Sequence, residues 1–178
     1  MMQKFPFLLF IILSFTVVSC KKTDFNNDKM IFRYNESSGI TTLDPAFASG
    51  QATIWPCNLL YNGLVDLDDS LHIVPAIAQS WEISNDGKVY TFHLRQDVYF
   101  HNTDYYQFDK PRKVTAQDFV YSLSRITSPE VASPGAWIFQ NVARDEHGNP
   151  KFIALNDSTF QIVLSQYFPP FLGILAMK

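Results

Sequence analysis

The chain lacks most of the residue patterns that announce a chemical function. It has two cysteines, Cys20 and Cys57, so if either is modified the other has no partner within the chain. No dense Lys/Arg run occurs beyond Lys21-Lys22. With a formal net charge of −3 this leaves no electrostatic footprint for phosphates, and nucleic acid is excluded as a partner. The phosphate-cradling, dinucleotide-binding, nucleophile-elbow and zinc-protease motifs are all missing. The four histidines, His72, His93, His101 and His147, have no close metal-ligand spacing, so neither a metal nor a cofactor is expected. His93 and His101 are read as an exposed strand residue and a loop residue, and Asp66, Asp68 and Asp69 as the turn chemistry of a hairpin tip. No nucleophile and base pair is visible, so no covalent catalysis is expected, and Cys57 reads as a buried thiol in a helix.

The apolar run from Phe5 to Val18 follows Lys4 and is too short to span a membrane comfortably, which favours a signal peptide over residues 1–19. Its end, Val17-Val18-Ser19-Cys20, resembles the bacterial lipobox. That resemblance implies cleavage before Cys20, lipid attachment to its thiol and acylation of the new terminus. Several acyl chains anchor stably because each buried methylene adds about 0.8 kcal/mol. The alternative is an uncleaved anchor helix with an incidental cysteine. Residues 20–29 are polar and aperiodic, a tether between lipid and fold.

A packed globular body follows, with 47% hydrophobic residues in the whole chain. The clearest local signal is Ser80 to Phe100. Asp86-Gly87 predicts a type I′ two-residue hairpin turn, which pairs Ile83 with Tyr90 and Trp81 with Phe92 and sets Leu94 on the same apolar face. That face needs a partner layer, and the helix expected over Ala116 to Ile126, capped by Thr115 with Asp118 in its first turn, is the expected one.

Strands are also expected at Met30–Tyr34, Gly63–Leu67 paired with Leu71–Val74, and Lys151–Leu155 paired with Thr159–Leu164. A helix over Ser49 to Leu60 carries an apolar stripe of Ile54, Trp55, Leu59 and Leu60, with Pro56 predicting either a late start or a kink. Pro75 to Gln79 predicts a single helical turn, and Pro169-Pro170 opens a last helix. Trp137 and Phe139, in the Pro/Gly-marked loop Ala132 to Val142, either line a ligand pocket or close the core beneath the loop.

The order of motifs is specific where each alone is weak: Leu43-Asp44-Pro45, Leu60-Tyr61-Asn62-Gly63-Leu64-Val65, Val74-Pro75-Ala76-Ile77-Ala78-Gln79-Ser80-Trp81, the run from Asp86 to Arg95, and Thr115-Ala116-Gln117-Asp118-Phe119-Val120-Tyr121-Ser122. The series resembles the N-terminal lobe of the bacterial extracellular solute-binding proteins of family 5, the oligopeptide- and dipeptide-binding components of peptide ABC importers.

The resemblance implies an α+β, mixed α/β fold: the first-lobe portion of a two-lobed, type II periplasmic-binding-protein architecture with an antiparallel, hairpin-rich subdomain. Residues 30–45 would begin the main lobe, 46–165 form the subdomain and 166–178 return to the lobe. It implies peptide ligands, permease subunits of an ABC transporter as membrane partners, a monomer, and a location in the cell envelope. Other members of the family take nickel chelates, haem or sugars. Backbone pairing with ligand is implied for Gly39, Ile40, Thr41 and Thr42, and a ligand-facing loop for Ser133 to Phe139 with Trp137.

The family runs Phe-His-Asp-Gly into Thr-Ala, whereas Phe100-His101-Asn102 here leads into an insertion from about Thr103 to Lys113. The length implies an N-terminal portion, whether truncated gene or partial sequence, that binds ligand weakly alone. A surface lipoprotein whose hairpins mediate protein contacts is the competing reading.

Overall fold

The computed structural model describes residues 32–102 and 110–176. The signal peptide, Cys20 and the tether expected over 1–29 lie outside the described residues, as do Met30 and Ile31 of the first expected strand. Residues 32–34 form no strand. Two compact units are present, divided between Asn35 and Glu36, and the second carries the helices and strands of the described residues.

That unit is organised on a four-stranded antiparallel sheet in the order β3-β4-β6-β5, where β3 is Ala78–Ile83, β4 Val89–Leu94, β5 Phe152–Asn156 and β6 Thr159–Val163. The expected register holds, with Trp81 opposite Phe92 and Ile83 opposite Tyr90. The turn differs. The Gly87 N–H donates to the Ser84 carbonyl at 2.8 Å and Gly87 alone in this turn has positive φ, +67°, so this is a type I turn ending in a left-handed glycine. The Ser84 hydroxyl explains why it wins: it accepts the Val89 N–H at 2.9 Å, and the Asp86 carboxylate accepts the Lys88 N–H at 3.2 Å, satisfying groups that a tighter turn would pair by backbone.

Strands β4 and β6 zip the two hairpins together, Phe92 opposite Phe160 and Tyr90 opposite Ile162. Alternation does the rest: Tyr90, Phe92, Leu94, Phe160, Ile162 and Leu164 are all buried on one face. Ile83 is half exposed because β3 is a sheet edge.

Helix α2, Ala116–Thr127, starts where expected. The Thr115 N–H donates to the Asp118 carboxylate at 2.8 Å, and the Ala116 N–H to the Asp157 carbonyl at 2.9 Å, which pins the helix to the β5–β6 turn. The helix therefore lies chiefly on β5 and β6, with Phe119 5.7 Å from Phe160, and not over the first hairpin as expected. The last helix, α3, Phe171–Leu175, instead covers Tyr90 with the buried ring of Phe171, 5.1 Å away.

Pro75 to Gln79 makes no helical turn. Pro75 ends β2 (Ile73–Pro75), which pairs with β1 (Val65–Leu67), and Ala78 already belongs to β3. The chain stays extended there because the Ile77 and Ala78 N–H groups donate to Gly63 and Leu64, and Ile77 accepts from Arg95, so both sides of the connector are engaged. Helix α1, Gln51–Leu60, runs continuously through Pro56, but its inner face is Thr53, Pro56 and Cys57, while Trp55, Leu59 and Leu60 are more than half exposed. Small residues at i, i+3 and i+4 let the helix approach closely, and the larger apolar groups are left outside. Cys57 is a buried free thiol, as expected, and burial pushes its pKa up.

Candidate functional site

The expected ligand-facing residues fall on two segments, 39–42 and the loop around Trp137. Gly39 closes a turn, its N–H donating to the Glu36 carbonyl at 3.3 Å with φ at +75°. The chain from Ile40 to Leu43 has no regular structure, and among the described residues no main-chain hydrogen bond engages Ile40, Thr41, Thr42 or Leu43. An unpaired main chain on this scale offers donors and acceptors to an extended partner.

The segment is anchored at its C-terminal end. The Asp44 N–H donates to the Thr42 hydroxyl at 3.0 Å, and the Asp44 carboxylate accepts the Ala46 N–H at 3.0 Å, opening a short 3-10 turn at Pro45–Phe47. The same carboxylate takes both arms of the Arg125 guanidinium from the last turn of α2, at 2.9 and 2.6 Å. This fork holds the Asp44 carboxyl below its usual pKa, the arginine hydrogen bonds being the largest cause. The Phe47 ring lies 5.9 Å from the guanidinium carbon, at the outer limit of a cation–π contact.

The second segment is joined to the first through Ser133. Its buried hydroxyl donates to the Ala46 carbonyl at 2.5 Å and accepts the Gly135 N–H at 3.1 Å. The Ser133 carbonyl accepts the Ala136 N–H, starting a 3-10 turn over Ala136–Phe139. That turn separates the two aromatics: Phe139 is buried against the Phe152 ring at 5.4 Å, whereas Trp137 is 55% exposed. Of the two readings of this loop, the core one describes Phe139 and leaves Trp137 at the surface. Sequence reasoning named the two segments, Asp44 and Ser133 among their residues, but not Arg125 or the contacts that tie the segments together.

Asp68 accepts the N–H groups of Ser70 and His72, turn chemistry as expected, and His93 lies 3.4 Å from Glu82 across the first hairpin. Among the described residues no group of histidine, cysteine or acidic side chains is placed to hold a metal.

Residues 72–178 match the family model described as bacterial extracellular solute-binding proteins, family 5 middle. The chain is 34% identical over 140 residues to di/tripeptide-binding protein 2 of Pseudomonas aeruginosa, covering 75% of this chain and 26% of that protein. It is likewise 34% identical over 158 residues to the periplasmic oligopeptide-binding protein OppA of Escherichia coli, covering 83% of this chain and 27% of that one. Among solved structures, the murein tripeptide binding protein MppA of Escherichia coli superposes with a TM-score of 0.65 at 32% identity, over 76% of this chain and 27% of MppA. The chain thus spans about a quarter of the length of the curated relatives it matches. The mixed helix and antiparallel sheet described above is a partial region of the type II periplasmic-binding-protein fold.

Proposed function

The chain belongs to the bacterial extracellular solute-binding proteins of family 5, and from that premise we propose that it serves a lipid-anchored, substrate-binding component of a peptide ABC importer. In this reading residues 46–165 are a subdomain of the first lobe, and short peptides are captured in the cell envelope for delivery to permease subunits. The protein binds and releases; it carries out no covalent chemistry.

One observation supports this over other uses of the fold: the main chain from Ile40 to Leu43, unpaired among the described residues, is followed by the Asp44–Arg125 fork and joined through Ser133 to the turn that carries exposed Trp137. Strand addition to Gly39–Thr42 recognises backbone rather than side chains, which suits a binder of peptides of many sequences. Trp137 adds apolar contact area at the rim.

Calorimetry with pools of di- and tripeptides tests the reading. A gene product carried to the length of the relatives is expected to bind, and this 178-residue chain to bind far more weakly, because much of a closing clamp's contact area lies outside it. No heat from any peptide pool with the longer product counts against peptide capture. Micromolar binding by this chain alone counts against a requirement for both lobes.

Anchoring has its own test. Cys20→Ala is expected to abolish acyl labelling and to shift the protein from the membrane to the soluble fraction or leave it unprocessed at its precursor mass. A variant that keeps its label and its processed mass removes Cys20 as the attachment site.

A further inference from the structure

We infer that Arg125 is the positioning residue of the ligand-pairing segment, and that it holds the Gly39–Thr42 arm and the Trp137 arm in a fixed mutual arrangement through Asp44 and Ser133. The inference rests on the proposed use of Gly39–Thr42 for ligand and adds how that segment is kept in place.

Among the described residues Ile40 to Leu43 makes no main-chain hydrogen bonds, and Ile40, Thr41 and Leu43 are exposed, so neither pairing with a described strand nor burial fixes its path. Such a stretch populates many conformations, and each residue ordered on binding costs roughly 1–2 kcal/mol of backbone entropy. A pairing segment with useful affinity must be held in advance.

A continuous chain of contacts does this. Thr42 is tied to the Asp44 N–H, Asp44 to the Ala46 N–H, the Ala46 carbonyl to the Ser133 hydroxyl, and Ser133 to the N–H of Gly135 and, by its carbonyl, to that of Ala136 at the base of the Trp137 turn. All these links are local or neutral except one. Arg125 reaches Asp44 across 81 residues with two charge-assisted bonds and connects the chain to the last turn of α2. The guanidinium fork sets direction as well as distance, which a lysine ammonium does not. Arg125 touches no ligand in this arrangement; it acts through Asp44.

Backbone ¹⁵N relaxation on the full chain, in wild type, Arg125→Ala and Arg125→Lys, reads this directly. In the wild type the amides of 40–43 and 136–138 are expected near the rigid value of about 0.85, and in Arg125→Ala below about 0.6 in the 40–43 arm, with β4 and β6 unchanged. Arg125→Lys is expected to fall between, because charge is kept and the fork is lost. A general effect on stability would lower all elements together.

Unchanged order parameters at 40–43 in Arg125→Ala overturn the inference. Should Arg125→Ala fail to fold, Asp44→Asn removes the charge while its amide oxygen still accepts the Ala46 N–H, and loosening at 40–43 alone is again the expected result. Titration of the same samples with trialanine separates the ligand site from the role of Arg125. Shifts at 40–43 in the wild type that need at least tenfold more peptide in Arg125→Ala support both. Shifts confined to other residues count against the ligand site, while the order parameters still decide the role of Arg125.

Discussion

Phe160→Ala is expected to destabilise the chain by about 3–5 kcal/mol, a large part of the 5–15 kcal/mol typical of a whole domain. Phe160 is fully buried on a central strand, and three rings meet it: Phe119 from α2 at 5.7 Å, Phe92 from β4 at 6.3 Å and Phe152 from β5 at 6.5 Å. Its removal withdraws a side chain that the helix and both hairpins share. The cavity closes poorly because the sheet register fixes the surrounding backbones. Urea unfolding followed by tryptophan fluorescence measures the loss, with an unchanged slope confirming that stability and not the unfolded state has moved. Phe160→Leu, which keeps most of the volume, is expected to cost well under half as much. Equal losses in the two variants would mean that ring contacts, not the cavity, dominate.

Gly87→Val is the second large effect, an expected loss of about 2–3 kcal/mol from two separate causes. At φ +67° a branched residue is forced into a region it rarely occupies, and a Cβ at this position would lie 2.3 Å from Cδ2 of Tyr167, whose ring covers the glycine. The two causes separate by substitution. With Tyr167→Ala in the background, the steric part disappears and the backbone part remains, so Gly87→Val is expected to cost less there but still about 1–2 kcal/mol. Gly87→Asn tests the backbone part from the other side, since asparagine tolerates the left-handed region. A valine variant as stable as the wild type would mean that the turn relaxes to another geometry without loss.

The parts of this fold legible in advance are those where one local rule decides. Trp81, Ile83, Tyr90 and Phe92 alternate with polar residues on either side of a turn signal, and only one register keeps them on a single face, so the pairing was predictable even though the turn type was not. Thr115 and Asp118 at capping-box spacing marked the start of α2 in the same way. Errors came where a distant partner overrode a local preference. Pro75 to Gln79 looks helical until Gly63, Leu64 and Arg95 claim its backbone groups, and α1 turns its small residues inward against its own hydrophobic stripe.

The site divides along the same line. Gly39–Thr42 and Trp137 were named through likeness to a family, but the links between them, Arg125 to Asp44 across 81 residues and Ser133 to Ala46 across 87, leave no local trace. An arginine in the last turn of a helix and a serine in a Pro/Gly loop are ordinary residues until the fold brings their partners to them. The joining of the two hairpins through β4 and β6 was hidden for the same reason.

Residues 98–100 and 112–114 close against each other as a narrow neck. The Val114 N–H donates to Val98 at 3.0 Å, Tyr99 bridges Lys113, the Phe100 N–H donates to Arg112 at 2.8 Å, and the Arg112 guanidinium lies 4.3 Å above the Phe100 ring. A closure of this kind insulates the core from whatever lies beyond it, and doubling the length of a closed loop costs only about 0.6 kcal/mol. Lengthening the connection between Phe100 and Arg112, by an inserted epitope for example, is therefore expected to leave the stability of both hairpins nearly unchanged in urea unfolding.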